Sequence, residues 1–235
     1  MLFYCEFFLP FKADLKEIVP LGAFRMAANT TVNPYVLGAW IRLCQLAGNS
    51  RSITTRFDKK HSYDLINEIK NIMCKEDANI QRDLKSVMQK YGIDFSVVKN
   101  FRGAPVQGYI SQKGDGVYQM VLTIRGAFAD IFWFSLFHEI GHIVNGDVGQ
   151  NLKFLDDGSN SAQELAADIF AGNMLLSPES YEVFVQRKDF SIEAIYKYAK
   201  SQNVMPYIVI GRLQKEKYLD YRTYSDYKLR YKWEN

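Results

Sequence analysis

The run AFADIFWFSLFHEIGHIV, residues 127–144, constrains the fold more than any other part of this chain. Its apolar residues fall at helical spacing and crowd all round the axis, which predicts about five turns of a helix buried on most of its sides. A helix of that kind needs the rest of the chain packed around it. It nevertheless carries His138, Glu139 and His142, and the whole chain holds only three histidines. Two imidazoles and a carboxylate taken into an apolar interior each cost several kcal/mol unless they are paired with one another or with a metal ion.

Residues four apart on an α-helix share a face, so His138 and His142 can offer their imidazoles to one ion. Glu139 sits at the edge of that face, where its carboxylate can hold a water without ligating the metal. A zinc hydrolase needs this HExxH arrangement: two nitrogens to grip Zn2+, and a base to take the proton from a water whose pKa the ion lowers toward neutrality. An HExxH string that arises by accident usually falls on an exposed helix; this one is set among Phe134, Leu136, Phe137, Ile140 and Ile143. Gly141, between the histidines, is expected to leave room beside the metal.

Zinc catalysis also wants a third protein ligand and an open fourth position. The extended pattern HExxHxxGxxH is excluded, because Asn145 and Val148 stand where it requires Gly and His. The remaining histidine, His61, lies in a polar stretch remote in sequence, so a carboxylate is expected. The next helix offers QELAAD, in which Glu164 and Asp168 are again four apart. Glu164 could bind the ion while Asp168 accepts the free N–H of a ligand histidine and fixes its tautomer. The plainer reading makes both a solvated helix face, and Asp147, Asp156 and Asp157 in the intervening loop are alternative ligands.

Punctuation residues divide the rest. From Asp14 to about Gly48, LKEIVPLGAFRMAA and NPYVLGAWIRLCQLAG read as short helices, and the polar NSRSITTRFDKKHS, residues 49–62, reads as a linker. Helices are predicted over Tyr63–Met73 and Ile80–Tyr91, the second closed by Gly92. The runs IDFSVVKN, PVQGYISQ and VYQMVLTI then predict three strands of a small, mostly antiparallel sheet, with a hairpin turn at KGDG. After the HExxH helix, SAQELAADIFAGNMLL is a further helix capped by Asn160 or Ser161 and ended before Pro178. This is an α+β chain, with an N-terminal helical region and linker over residues 1–62, a main domain over 63–235, and helices of 180–235 forming a wall of it.

Composition excludes several functions. With 235 residues, 48% of them hydrophobic, the chain can bury a substantial core. A net charge of +3 on 29 basic and 26 acidic residues is too balanced to name a polyanionic partner. Cys5, Cys44 and Cys74 are odd in number, with no CxxC, and fit neither a disulfide framework nor a thiolate zinc site; a reducing cytoplasm suits them. The opening MLFYCEFFLPF carries Glu6 and no basic leader, and reads as a segment buried against the fold or a partner rather than a signal peptide.

The runs FWFSLFHEIGHIVNGD and ELAADIFAGNMLLSP resemble the ImmA/IrrE family of metallopeptidases, which pair HExxH with a later ExxxN/D and FA before a Leu-Leu-x-Pro ending. Asp168 stands where Asn is common and Ser177 where Met often sits. The resemblance implies a zincin-like, gluzincin-like metallopeptidase with the small sheet packed on the HExxH helix. It makes His138, His142 and Glu164 the Zn2+ ligands, Glu139 the general base and Asp168 the carboxylate behind a ligand histidine. NPYVLGAWIRLCQLAG, YGIDFSVV, VLTIRGAFADIFWFSLFHE and YIVIGRLQKEKYL are similar to the branch in which such a domain follows a helix-turn-helix of the HigA or Xre type. Residues 1–13 cannot hold that upstream domain, so direct nucleic-acid binding is not expected. The implied activity is endopeptidase cleavage of a protein, a helix-turn-helix repressor or antitoxin involved in transcription regulation. The implied location is cytoplasmic, with no membrane partner.

In such an enzyme a substrate strand would add to the edge of the sheet along Val117–Ile124, with Arg125 or a tyrosine as the group that stabilises the oxyanion. A rival reading is a non-catalytic zinc-binding interaction module, antitoxin-like or repressor-binding; Glu139 weighs against it, because a structural site has no use for a base. Ile192–Lys217 has a helix-turn-helix rhythm with Arg212, Lys215 and Lys217, but helices in this pattern commonly just wall a domain. The tail YLDYRTYSDYKLRYKW packs on that wall or meets a partner.

Overall fold

The computed structural model describes residues 23–26, 34–47, 53–99, 106–114, 116–124, 127–149 and 162–232. In chain order these form β1 (Ala23–Met26), α1 (Pro34–Ala47), α2 (Ser62–Cys74), α3 (Ile80–Lys90), β2 (Ile93–Val98), β3 (Val106–Gly114) and β4 (Val117–Thr123). Then come α4 (Ala129–Asn145), α5 (Ala162–Leu175), α6 (Pro178–Gln186), α7 (Ile192–Ser201) and α8 (Pro206–Lys215). The architecture is α+β: eight helices and one small mixed sheet among the described residues. None of these helices is long and apolar enough to cross a membrane.

The sheet differs from the expected one in three ways. Its strand order is β1-β3-β4-β2, and β2 pairs with β4 in parallel while the other two pairings are antiparallel. The β3–β4 hairpin forms as predicted, but β2 lies on its far side, so the chain enters β2 and β4 in the same direction. Burial on both faces of β2 suits a parallel strand. Second, Ala23–Met26 is a strand paired with β3, although Ala, Met and Arg favour helix; pairing to an open strand overrides that weak preference. Third, β4 is interior, with β3 and β2 taking both sides of its ladder. A substrate strand therefore cannot add along Val117–Ile124; among the described strands the edges are β1 and β2.

Alternation along the strands sends side chains to two cores. Ile110, Met120 and Leu122 join Leu65 and Ile69 of α2, Leu84 and Met88 of α3, and Trp133, Phe137 and Ile140 of α4 in the main core. The intervening Tyr109 and Val121 point to the other face, where Leu37, Trp40, Ile41 and Cys44 of α1 cover them. Gln119 on that face donates from Nε2 to the Cys44 carbonyl at 2.7 Å. The stretch read as a linker crosses the end of the sheet: Phe57 N–H donates to the Gly116 carbonyl at 2.7 Å, and a Cβ on Gly92 would meet Phe57 N at 2.6 Å.

The C-terminal tail straps the start of α4. Phe128 caps that helix with no side-chain hydrogen bond, and the orphan N–H of Ala129 instead donates to the Leu229 carbonyl at 2.9 Å. Trp133 Nε1 donates to Tyr231 Oη at 2.8 Å, and Lys228 Nζ lies 2.6 Å from Asp130 Oδ2. The tail thus holds the helix that carries the HExxH motif. Helices α7 and α8 bury Ile195, Tyr198, Ile208, Val209 and Leu213 in the main core.

Candidate metal centre

The apolar character of α4 places its motif inside the molecule: His138 and Glu139 are each 1% exposed and His142 4%. Helix α5 crosses α4 at very short range. A Cβ added to Gly141 would lie 3.1 Å from Phe170 Cδ1 and 3.2 Å from Ala167 Cα. The space expected beside a metal at Gly141 is thus filled by α5, and the glycine serves the helix crossing. With Ala167 buried against α4, Glu164 about one turn before it and Asp168 directly after it are brought to the histidines.

Three side chains converge there. His138 Nε2 and His142 Nε2 are 3.0 Å apart, and Glu164 Oε2 and Oε1 lie 3.2 and 3.3 Å from them respectively. His138, His142 and Glu164 form a group that could hold a metal ion. Each imidazole is held from behind by a carboxylate: His138 Nδ1 is 2.8 Å from Asp168 Oδ1, and His142 Nδ1 is 2.9 Å from Asp147 Oδ2. An ionised carboxylate only accepts, so each Nδ1 carries the proton and each Nε2 turns a lone pair inward. Two lone pairs and an anionic oxygen at such separations repel one another unless a cation sits among them.

In the metal-free protein a proton serves. Burial lowers the pKa of His142, but the hydrogen bond to Glu164, the charge of Glu139 and the bond to Asp147 outweigh it and carry the imidazole up to about 9. Burial likewise raises the Glu164 carboxyl, and its bonds to His138 and His142 outweigh that, holding it well below the ordinary carboxylate range. The site therefore favours positive charge at its centre.

Asp147, weighed from sequence as a possible ligand, instead orients His142. Gly146 ends α4 in the left-handed conformation (φ 80°), and Asp147 N–H returns to the His142 carbonyl at 2.9 Å. The GD pair just past a helix end was the available sign. Gly108 of β3 was not anticipated: a Cβ there would overlap the Glu139 carboxylate and lie 2.8 Å from its Cδ. A glycine inside a strand signals such a close approach. His61 lies apart, with Nδ1 3.2 Å from Asp64 on an exposed surface. Asn160, Ser161, Asp156, Asp157, Arg125, Cys5 and the opening segment lie outside the described residues.

Comparison with known proteins adds no assignment: no family model matches the chain, and no curated protein matches it.

Proposed function

We propose that the chain is a zinc-dependent endopeptidase with a zincin-like catalytic unit of the ImmA/IrrE type, acting in the cytoplasm on a helix-turn-helix repressor or antitoxin-type regulator. The observation that carries this reading is the spacing of the inward-facing atoms of His138, His142 and Glu164. Zinc bonds of about 2.0–2.1 Å in tetrahedral geometry set ligand atoms about 3.3 Å apart; here the two imidazole nitrogens are 3.0 Å apart, and each has one Glu164 oxygen at 3.2 or 3.3 Å. Two imidazoles and one carboxylate also form the donor set of a catalytic zinc site that keeps one position open.

When bound, zinc would supply Lewis acidity, polarising a peptide carbonyl and lowering the pKa of water toward 7. His138, His142 and Glu164 would hold it. Asp168 and Asp147 keep both Nδ1 atoms protonated and both Nε2 lone pairs aimed inward. Glu139 follows His138 round the helix, and its carboxylate lies against β3 at Gly108. Its carboxylate would take the proton from the attacking water and return it to the leaving amine, a role in general acid–base catalysis worth about 10²–10⁴-fold in rate.

Co-expression of the chain, or its Glu139→Gln form, with each neighbouring helix-turn-helix protein of its own genome tests the reading. Cleavage of a partner by the unaltered chain alone is expected. A stable complex with the partner intact in both cases would replace the enzyme by a non-catalytic zinc-binding interaction module.

A further inference from the structure

Helix α5 is apolar on two sides. Ala167, Ala171 and Leu175 are buried, whereas Leu165 and Ile169 are 60% and 53% exposed and line a groove between α4, α5 and α8. Solvent-exposed large apolar residues one turn apart, beside a buried metal-ligand group, need a reason. The groove is a cavity of about 660 Å³, within the usual range for a ligand site. Leu175, Leu176 and Ile208 form its buried floor, and Ile131 and Phe134 its α4 wall.

One end of the groove lies beside the metal centre, reaching it at Asp168 although His138, His142 and Glu164 do not line it. Asp168, which holds His138, lines it, and Leu165 directly follows Glu164. From Leu165 to Leu176 the α5 segment advances roughly 16 Å at about 1.5 Å per residue, the reach of about five residues of extended chain.

Charge narrows the occupant. Six charged side chains line the groove, and they pair off: Lys215 Nζ with Asp168 Oδ2 at 3.8 Å, Arg212 Nε with Glu216 Oε1 at 2.9 Å, and Lys228 Nζ with Asp130 Oδ2 at 2.6 Å. A charged side chain entering the groove would have to break one of these pairs. An apolar one only removes water from Leu165, Ile169 and Ile131.

We infer that this groove binds an apolar stretch of the polypeptide substrate, about five residues long, running away from the bond to be cut. The inference rests on the peptidase reading above, and it makes Ile169 and Leu165 specificity residues with no part in the chemistry.

The test uses fluorescein-labelled peptides in which a run of Leu, Ile, Val and Phe is flanked by Gly and Lys, with Ser/Gln-run peptides as controls. By fluorescence anisotropy, the zinc-loaded Glu139→Gln protein should bind the apolar set at least about tenfold more tightly than the controls. Ile169→Lys and, separately, Leu165→Ser should remove that preference with zinc content and circular dichroism unchanged. The unaltered chain should cut the apolar set beside the run. Binding with this preference but no cleavage would keep the groove and reject the peptidase. Absence of preference, a preference that survives both substitutions, or equal cleavage of both sets would overturn the groove. So would a chain dimer dissociated by Ile169→Lys with peptide binding unaffected, which would assign the face to a second copy.

Discussion

Gly108 of β3 lies directly against the Glu139 carboxylate, so close that a Cβ at position 108 would fall 2.8 Å from Glu139 Cδ. The sheet thereby limits where the Glu139 carboxylate can be. Gly108→Ala should swing the carboxylate away while leaving the ligands in place. Peptide hydrolysis should fall at least about tenfold, approaching the loss in Glu139→Gln, which removes general-base catalysis. Zinc content by elemental analysis should remain that of the unaltered chain; loss of zinc together with activity would mean that Gly108 supports the ligands instead.

Gly141 sets the distance between α4 and α5. In Gly141→Ala, the new methyl would meet the Ala167 backbone at 3.2 Å and Phe170 at 3.1 Å, forcing the helices apart. The expected cost is about 1–3 kcal/mol of stability from overpacking, with weakened zinc affinity because Glu164 rides on α5. Chemical denaturation and zinc titration read the two effects separately.

The carboxylates behind the histidines should matter for zinc affinity although neither touches the ion. Asp147→Ala frees the His142 ring and Asp168→Ala the His138 ring, and each should weaken zinc binding about 10–100-fold in competition with a chromophoric chelator. An unchanged affinity in Asp147→Ala would remove that residue from the site.

Metal-free protein should bind zinc in exchange for a proton. Folding raises His142 from 6.5 to about 9, so its protonated form is favoured in the native state. That contribution to stability is fully present below about pH 6.5 and is lost as pH rises through about 9. Zinc requires the neutral ring, so at pH 7 its uptake should expel about one proton, and apparent affinity should climb about tenfold per pH unit up to about pH 9. Calorimetry in buffers of different ionisation enthalpy measures the release.

Much of this was legible in the residues because it is local. The apolar period around His138 and His142 predicts a buried helix, and the four-residue spacing of Glu164 and Asp168 predicts a shared face; both features lie within single helices. What was not legible is pairing at a distance. Ile93–Val98 reads as a strand, but nothing in it says that its neighbour is β4 rather than β3, or that the two run parallel. Ala23–Met26 has helix-forming composition and becomes a strand only because β3 offers an open ladder. Gly141 reads as a gap and Gly108 carries no reading, yet each is a contact whose partner lies on another element. Asp147 reads as a possible ligand until the left-handed turn at Gly146 points it at the rear of His142.

The central claim is that two imidazoles from one helix and a carboxylate from the next grip a single zinc ion. X-ray absorption at the zinc edge, on protein dialysed after zinc loading, tests it most directly. The account predicts one tightly held zinc per chain, with nitrogen and oxygen neighbours at about 2.0–2.1 Å, imidazole scattering that is lost in His142→Ala, and a changed shell in Glu164→Gln. Protein that retains no zinc after dialysis, or a zinc environment indifferent to both substitutions, would contradict it.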